Sequence, residues 1–267
     1  MRRHGMLDFD VFFIDLDGVV FIGKTPVAGA REAVDRIRRA GRRVFFLTNN
    51  STLSRGGYVR KLAGMGIRAE PDQILTSGYA SAVFLREKAP GARILVVGER
   101  GLVEELEQAG LKTVDRAEEA THVVVGLDRR LTYGRLAEAA FAIRSGAEFI
   151  ATNSDSTYPT ERGLAPGAGA IVAALSTSTG RSPVVIGKPS SLMLELGLRL
   201  AGVRRSRAVI IGDRLDTDVA AGRAAGIKTG LVLTGVCRRS NLKATGGPEP
   251  DFVFNSLAEV SADEGVS

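Results

Sequence analysis

Val11-Phe12-Phe13-Ile14-Asp15-Leu16-Asp17-Gly18-Val19-Val20 runs four apolar residues straight into an aspartate, with a second aspartate two positions on and then a glycine. A short, uninterrupted apolar run reads as a strand buried on both faces, the pattern of a parallel sheet. Two carboxylates and a glycine are poor strand material, so the strand is expected to stop near Asp15. Open α/β sheets bind ligands just beyond the carboxyl ends of their strands. Asp15 and Asp17 would then stand at the mouth of a site. Taken alone, the stretch reads equally well as a strand followed by an Asx-Gly turn.

The rest of the chain repeats this grammar. A turn over 26–29 leads into an amphipathic helix over 30–40, with Ala33, Val34 and Ile37 on one face and Gly41 as its stop. A second apolar strand over 43–47 runs into Thr48-Asn49-Asn50-Ser51-Thr52, and a helix over 54–63 and a strand end at 74–77 follow. The middle continues with strands over 93–98, 121–126 and 148–152, and helices over 102–109 and 133–145. A loop over 153–169, rich in proline, glycine and serine, precedes a helix of small residues over 170–175. Strands over 183–187 and 208–213 each precede a helix, at 191–201 and 216–225. Closing strands are expected at 229–234 and 251–254, with a surface loop over 238–250 between them. Alternating strands and helices imply α/β architecture with right-handed crossovers.

Composition narrows the function classes. The chain has 267 residues, 44% hydrophobic and 25% charged, which is ordinary for a soluble globular protein. No apolar run approaches bilayer length, so no membrane partner is expected. The basic opening over 1–5 resembles a signal n-region, but Asp8, Asp10 and Asp15 break up any apolar core behind it, and no signal peptide is read. Cys237, the single cysteine, excludes an internal disulfide and suits a reducing cytosol, so a cytoplasmic location is expected. The net charge of +6 comes from arginines in short groups such as Arg38-Arg39, Arg42-Arg43 and Arg204-Arg205. With 6% aromatics and no tryptophan, stacking platforms are scarce, so no nucleic-acid partner is expected. A solvated basic surface could still steer an anionic substrate.

Four expected strand ends carry chemically capable residues: Asp15 with Asp17, Thr48 with Asn49, Lys188, and Asp213. Parallel strands point one way, so these residues would lie along one edge of a sheet and could converge on one ligand. Two carboxylates about 4 Å apart repel by roughly 4 kcal/mol at an effective dielectric near 20. Either one is protonated or a cation lies between them. Asp15, Asp213 and a phosphate dianion carry four negative charges; a divalent metal and Lys188 supply three positive ones, leaving one negative with Asp17 protonated. Oxygen ligands with space for water and phosphate are what magnesium prefers.

The sequence at this point resembles the haloacid dehalogenase superfamily, specifically its nitrophenylphosphatase-like branch with a large cap inserted after the second motif. The motifs are Asp15-Leu16-Asp17-Gly18-Val19, Leu47-Thr48-Asn49, Gly187-Lys188-Pro189, and Gly212-Asp213 through Asp218. The likeness continues in Gly126 to Tyr133 and in Ala151-Thr152-Asn153-Ser154-Asp155. Ser154 departs from the proline common in the branch, and Arg214 stands where some relatives have asparagine. The resemblance implies a magnesium-dependent hydrolase of small phosphomonoesters acting on a small phosphorylated metabolite. Asp15 would be the nucleophile that becomes an aspartyl-phosphate, and Asp17 the general acid and then base. Asp15, Asp213 and the backbone carbonyl of Asp17 would hold magnesium. Thr48 and Asn49 would bond the phosphoryl oxygens, and Lys188 would neutralise their charge. Asp218 would support Lys188 or the metal's waters from behind; as an acid in a helix's first turn it also has an ordinary reading.

The same resemblance implies a Rossmann-like, doubly wound parallel-sheet core, residues 1–79 and 181–267, and a smaller inserted α/β cap, residues 80–180. Two linkers would suit a lid that excludes water. The loop over 153–169 is the expected substrate contact, with Asp155 as its specificity residue. Two rivals remain: dehalogenase chemistry at carbon, against which Asp17 and Asp213 argue, and a receiver-like phospho-aspartate signalling domain, whose partner docking a cap would obstruct. A homodimer would need an exposed apolar face on the cap, and the sequence does not identify the substrate.

Overall fold

A computed structural model describes residues 9–160, 163–239 and 247–260. The opening over 1–5 and residues 240–246 of the expected surface loop lie outside the described residues. In its first third the chain forms β1 (Val11–Asp15), the small hairpin β2 (Phe21–Ile22) and β3 (Thr25–Pro26), α1 (Ala30–Arg39), β4 (Arg43–Thr48), α2 (Arg55–Ala63) and β5 (Ile74–Thr76). The middle contributes α3 (Ser77–Lys88), β6 (Arg93–Val97), α4 (Arg100–Gln108), β7 (Lys112–Val114), β8 (His122–Val125), α5 (Tyr133–Arg144) and β9 (Glu148–Ala151). It ends with β10 (Thr157–Thr160), β11 (Gly163–Pro166), α6 (Ala168–Thr179) and β12 (Val184–Val185). The last third adds α7 (Leu192–Ala201), β13 (Ala208–Gly212), α8 (Ala220–Ala225), β14 (Lys228–Val232) and β15 (Phe252–Phe254).

The chain divides into two compact units. One comprises Met1–Thr48, Val59–Leu75 and Lys188–Ser267; the other comprises Asn49–Tyr58 and Thr76–Gly187. The first is built on a six-stranded sheet of order β15-β14-β13-β1-β4-β5. β1 sits at its centre, parallel to both β13 and β4, with Phe13 opposite Ile210 on one side and Phe45 on the other. Every residue of β1 and β13 is buried, as continuous apolar runs in a helix-covered sheet require. From β1 the chain winds to β4 and β5 on one side, and from β13 to β14 and β15 on the other. The crevice between β1 and β13 is thus the topological switch point of a doubly wound sheet.

The second unit has its own five-stranded sheet, β12-β9-β8-β6-β7, whose pairings are also parallel. Its core gathers Leu95, Val97, Val123, Val125, Phe149 and Leu175. The β2–β3 hairpin and β7 were not expected, and β12, expected to bring Lys188 to the sheet edge that holds Asp15, instead pairs with β9 in this second sheet. α3 and the β10–β11 hairpin also differ from the sequence reading. α3 is absent from it because its buried face is made of Gly78, Ala80, Ser81 and Ala82 beside Val83 and Leu85, which gives almost no amphipathic signal. Its start is fixed by Thr76, whose hydroxyl accepts a hydrogen bond from the Tyr79 amide at 2.9 Å. The stretch expected as an irregular loop over 153–169 contains the antiparallel hairpin β10–β11, pairing Tyr158 with Ala165. Prolines 159 and 166 concealed it, and a two-stranded ribbon is where such residues are tolerated.

Tight packing beneath β1 yields a stability prediction. On α7, Gly197 lies so close to Phe13 and Leu75 that an added Cβ would come within 2.5 Å of the Phe13 ring. Gly197→Val is expected to destabilise the fold by about 1–3 kcal/mol through overpacking, read as a lowered denaturation midpoint at unchanged m-value.

Candidate active site

Asp15 is the last residue of β1, Asp213 directly follows β13, and Thr48 ends β4. The three strands are neighbours in the order β13-β1-β4, so the three side chains line the carboxyl edge of the sheet at its switch point. Beyond Asp15 the chain cannot continue as strand. Gly18 adopts φ +85°, its amide donates to the Phe21 carbonyl at 2.8 Å, and the turn opens into the β2–β3 hairpin. Gly18 is also required by space, because a Cβ there would stand 2.5 Å from Asp213 Oδ2. Asp17 lies at the base of this turn, half-buried and bridged to Phe21.

Lys188 joins this edge from the segment before α7. Its Nζ donates to Asp15 Oδ1 at 2.5 Å and to Asp218 Oδ1 at 2.6 Å. The four charged residues are almost completely enclosed: Asp15 is 7% exposed, Lys188 and Asp213 are each 3%, and Asp218 is 1%. Asp218 reaches the cluster through a widened helical turn over Leu215–Val219. Its second oxygen accepts the amides of Asp213 and Arg214 at 3.2 and 3.1 Å. Both oxygens of Asp218 therefore face donors, and it seats Lys188 while closing the end of β13. Asp213 Oδ2 accepts the Val236 amide at 2.6 Å.

One ammonium faces three carboxylates, those of Asp15, Asp213 and Asp218, in a volume from which water is nearly excluded. Burial pushes the Asp15 carboxyl well above its ordinary range; Lys188 opposes the shift, while Asp218 and Asp213 reinforce it. Burial raises Asp213 to about 7, with Asp218 adding to the effect and the Val236 amide, Lys188 and Arg214 opposing it. Burial alone would lower Lys188, but Asp15 and Asp218 outweigh it and hold the ammonium charged. Carboxylate oxygens of Asp15, Asp213 and Asp218 lie within 4.8 Å of one another. This all-oxygen donor set, with excess negative charge, fits a hard divalent cation.

Two of the expected site residues belong to the other unit. Asn49, next in the chain after Thr48, directs its Nδ2 at both carboxylate oxygens of Asp155, at 3.2 and 3.1 Å. Several residues given no role by sequence reasoning also bear on the two clusters. Lys61 on α2 sits over the Phe21 ring, 3.5 Å from its centroid, within the field of Asp17. Asn153 and Ser77 both donate to the Asn49 carbonyl, at 2.7 and 2.5 Å. Lys61 had no sequence signal, being one basic residue on a polar helix. Asn153 lies inside the Ala151–Asp155 motif and was within reach.

The raised Asp213 carboxyl sets a pH dependence. A carboxyl that holds its proton more tightly folded than unfolded adds stability below its unfolded pKa, near 4, and that stability is lost as pH rises through its folded value. Chelator-treated protein is therefore expected to lose this contribution between about pH 4 and pH 7. In Asp213→Asn this part of the slope should be flattened, as checked by thermal melts across that range.

Comparison with known proteins accords with this geometry. A haloacid dehalogenase-like hydrolase model matches residues 12–112, and a HAD-hydrolase-like model matches residues 185–260. An acid sugar phosphatase from Staphylococcus aureus is 38% identical over 258 residues, covering 97% of this chain and 99% of its own. The p-nitrophenyl phosphatase from Archaeoglobus fulgidus superposes with a TM-score of 0.91 at 40% identity, over 94% of this chain and 98% of that one. A glycerol phosphate phosphatase from Mycobacterium tuberculosis, solved in complex with magnesium, superposes with a TM-score of 0.90 at 38% identity, over 98% of this chain and 79% of that one. The switch-point aspartates, the lysine between carboxylates and likeness over nearly the full length lead to one assignment: the chain belongs to the haloacid dehalogenase-like hydrolases, in their nitrophenylphosphatase branch.

Proposed function

We propose that the chain hydrolyses small phosphomonoesters by way of an aspartyl-phosphate formed on Asp15. It is a phosphoric monoester hydrolase of the haloacid dehalogenase type. The observation that carries the mechanism is the seating of Asp15, one oxygen on the Lys188 ammonium, at the crevice between β1 and β13. The Asp15 carboxylate is the group assigned to attack phosphorus. Asp17, two residues on and less deeply buried, gives a proton to the leaving alkoxide and later takes one from the attacking water. Thr48 and Asn49 hydrogen-bond the phosphoryl oxygens, and Lys188, held charged, offsets the charge that grows on them.

Magnesium is the expected cofactor. Asp15, Asp213 and the Asp17 carbonyl would hold it, with Asp218 kept behind Lys188 by its own hydrogen bonds. When bound, it supplies the positive charge that the buried carboxylates and an incoming phosphate lack. Residues 80–180 are proposed to act as a cap that limits water and shapes the substrate space. The substrate class is a small phosphorylated metabolite; sugar and glycerol phosphates are suggested by the names of the relatives. Dehalogenation needs neither an alkoxide proton donor nor a metal, so it leaves Asp17 and Asp213 without work. A receiver-like role leaves Asp17 without work.

Purified protein is expected to hydrolyse p-nitrophenyl phosphate with magnesium and to stop on chelation. Asp15→Asn should abolish turnover, and Asp17→Asn should slow it by roughly 10²- to 10⁴-fold. A folded, magnesium-supplied sample without turnover would contradict the reading, and a fully active Asp17→Asn would remove its acid–base role.

A further inference from the structure

Asn49 is gripped at both ends by residues far from it in sequence. Its carbonyl accepts the Ser77 hydroxyl at 2.5 Å and the Asn153 amide at 2.7 Å. Its side-chain nitrogen faces both oxygens of Asp155, at 3.2 and 3.1 Å. This contact settles which way the Asn49 amide points, since the reversed amide would aim its oxygen at a carboxylate. The bond is also charge-assisted and stronger than an amide–amide contact would be.

Asp155 is itself braced. Its amide donates to Asn153 Oδ1 at 3.1 Å, and its carbonyl accepts the Gly169 amide at 2.9 Å. A Cβ at Gly169 would come within 2.8 Å of that carbonyl, so the approach of α6 to the loop depends on glycine there. Asn49, Ser77 and Asn153 are buried, which gives each misplaced polar group a desolvation cost. A residue that selects the leaving group would be expected to present its carboxylate to that group. Here both oxygens are directed at one nitrogen of Asn49.

We infer that Asp155, braced by Asn153, is a positioning residue that aims the Asn49 amide, and that it is not the contact that discriminates among substrates. This inference rests on the proposed phosphatase reading, in which Asn49 bonds a phosphoryl oxygen. Since every phosphomonoester shares that oxygen, the effect of Asp155 should be the same for all of them. Its role replaces the specificity role expected from the sequence, and it ties the motif after β4 to a loop about a hundred residues further on.

The test is a mutant cycle of Asp155→Ala and Asn49→Ala, measured as kcat and KM on p-nitrophenyl phosphate and on glycerol phosphate, with a thermal melt of each variant. Asp155→Ala alone is expected to lower kcat/KM by roughly 10- to 100-fold, mainly in kcat and by the same factor on both esters. Asp155→Asn, which keeps one acceptor oxygen, should recover part of that loss. In the Asn49→Ala background, Asp155→Ala should cost only about 2-fold or less, the mark of two residues acting as one unit. A full loss persisting without Asn49, or a loss differing tenfold between the esters, would overturn the inference. So would a loss that Asp155→Asn does not relieve. If Asp155→Ala does not fold, the same cycle is run with Asp155→Asn and judged by its coupling to Asn49→Ala and by the evenness of its effect on the two esters. Inactivity of the wild-type protein on both esters would refute the phosphatase reading itself; activity with an additive cycle would refute only the positioning role.

Discussion

The Lys188 ammonium, buried between Asp15 and Asp218, is the interaction on which the first unit's site depends. A single cation there cannot balance three enclosed carboxylates, and isolated buried charges are costly enough that proteins usually avoid them. The fold tolerates the imbalance because each charge is tied into backbone or a partner. Asp218 accepts two strand-end amides as well as Lys188, and Asp213 accepts the Val236 amide. The residual negative charge is what makes the cluster receptive to a cation, and a phosphate would increase the need for one. Stability is thereby given up at the place where chemistry is proposed, as strained or electrostatically unfavourable sites generally do.

The architecture around this interaction is economical. Asp15 and Asp213 end up side by side because β1 and β13 are neighbours, and they lie at the crevice because the sheet winds in opposite directions from those two strands. Glycine allows the approach. Gly18 bends the chain away from β1 and leaves space for Asp213, while the Asp218 side chain occupies the volume where a Cβ of residue 212 would stand. Substituting either glycine would displace a carboxylate before it disturbed the sheet.

Much of this was legible in the residues. The buried strands announced themselves as apolar runs ending in polar residues, and Asp15, Thr48 and Asp213 were each visible as such an end; Lys188 was visible too, but the strand before it, β12, lies in the other sheet. What was not legible depended on long-range packing or on weak patterning. α3 has small residues on its buried face, and β10 and β11 carry prolines that read as loop. Lys61 gained meaning only when α2 set it over Phe21. Asp155 was visible as a polar residue in a promising loop, but its partner, 106 positions earlier, was not. The sequence reading could therefore nominate the residue, as a specificity residue, without seeing the Asn49 amide beside it.

The central claim is that phosphate passes through Asp15. It is tested most directly by mixing the Asp17→Asn variant with magnesium and p-nitrophenyl phosphate, quenching in acid, and mapping the peptides by mass spectrometry. The predicted result is one phosphoryl group, labile to hydroxylamine, on the peptide that carries Asp15. A variant that still turns over substrate slowly while Asp15 remains unmodified, with the phosphoryl group found on another residue, would contradict the account.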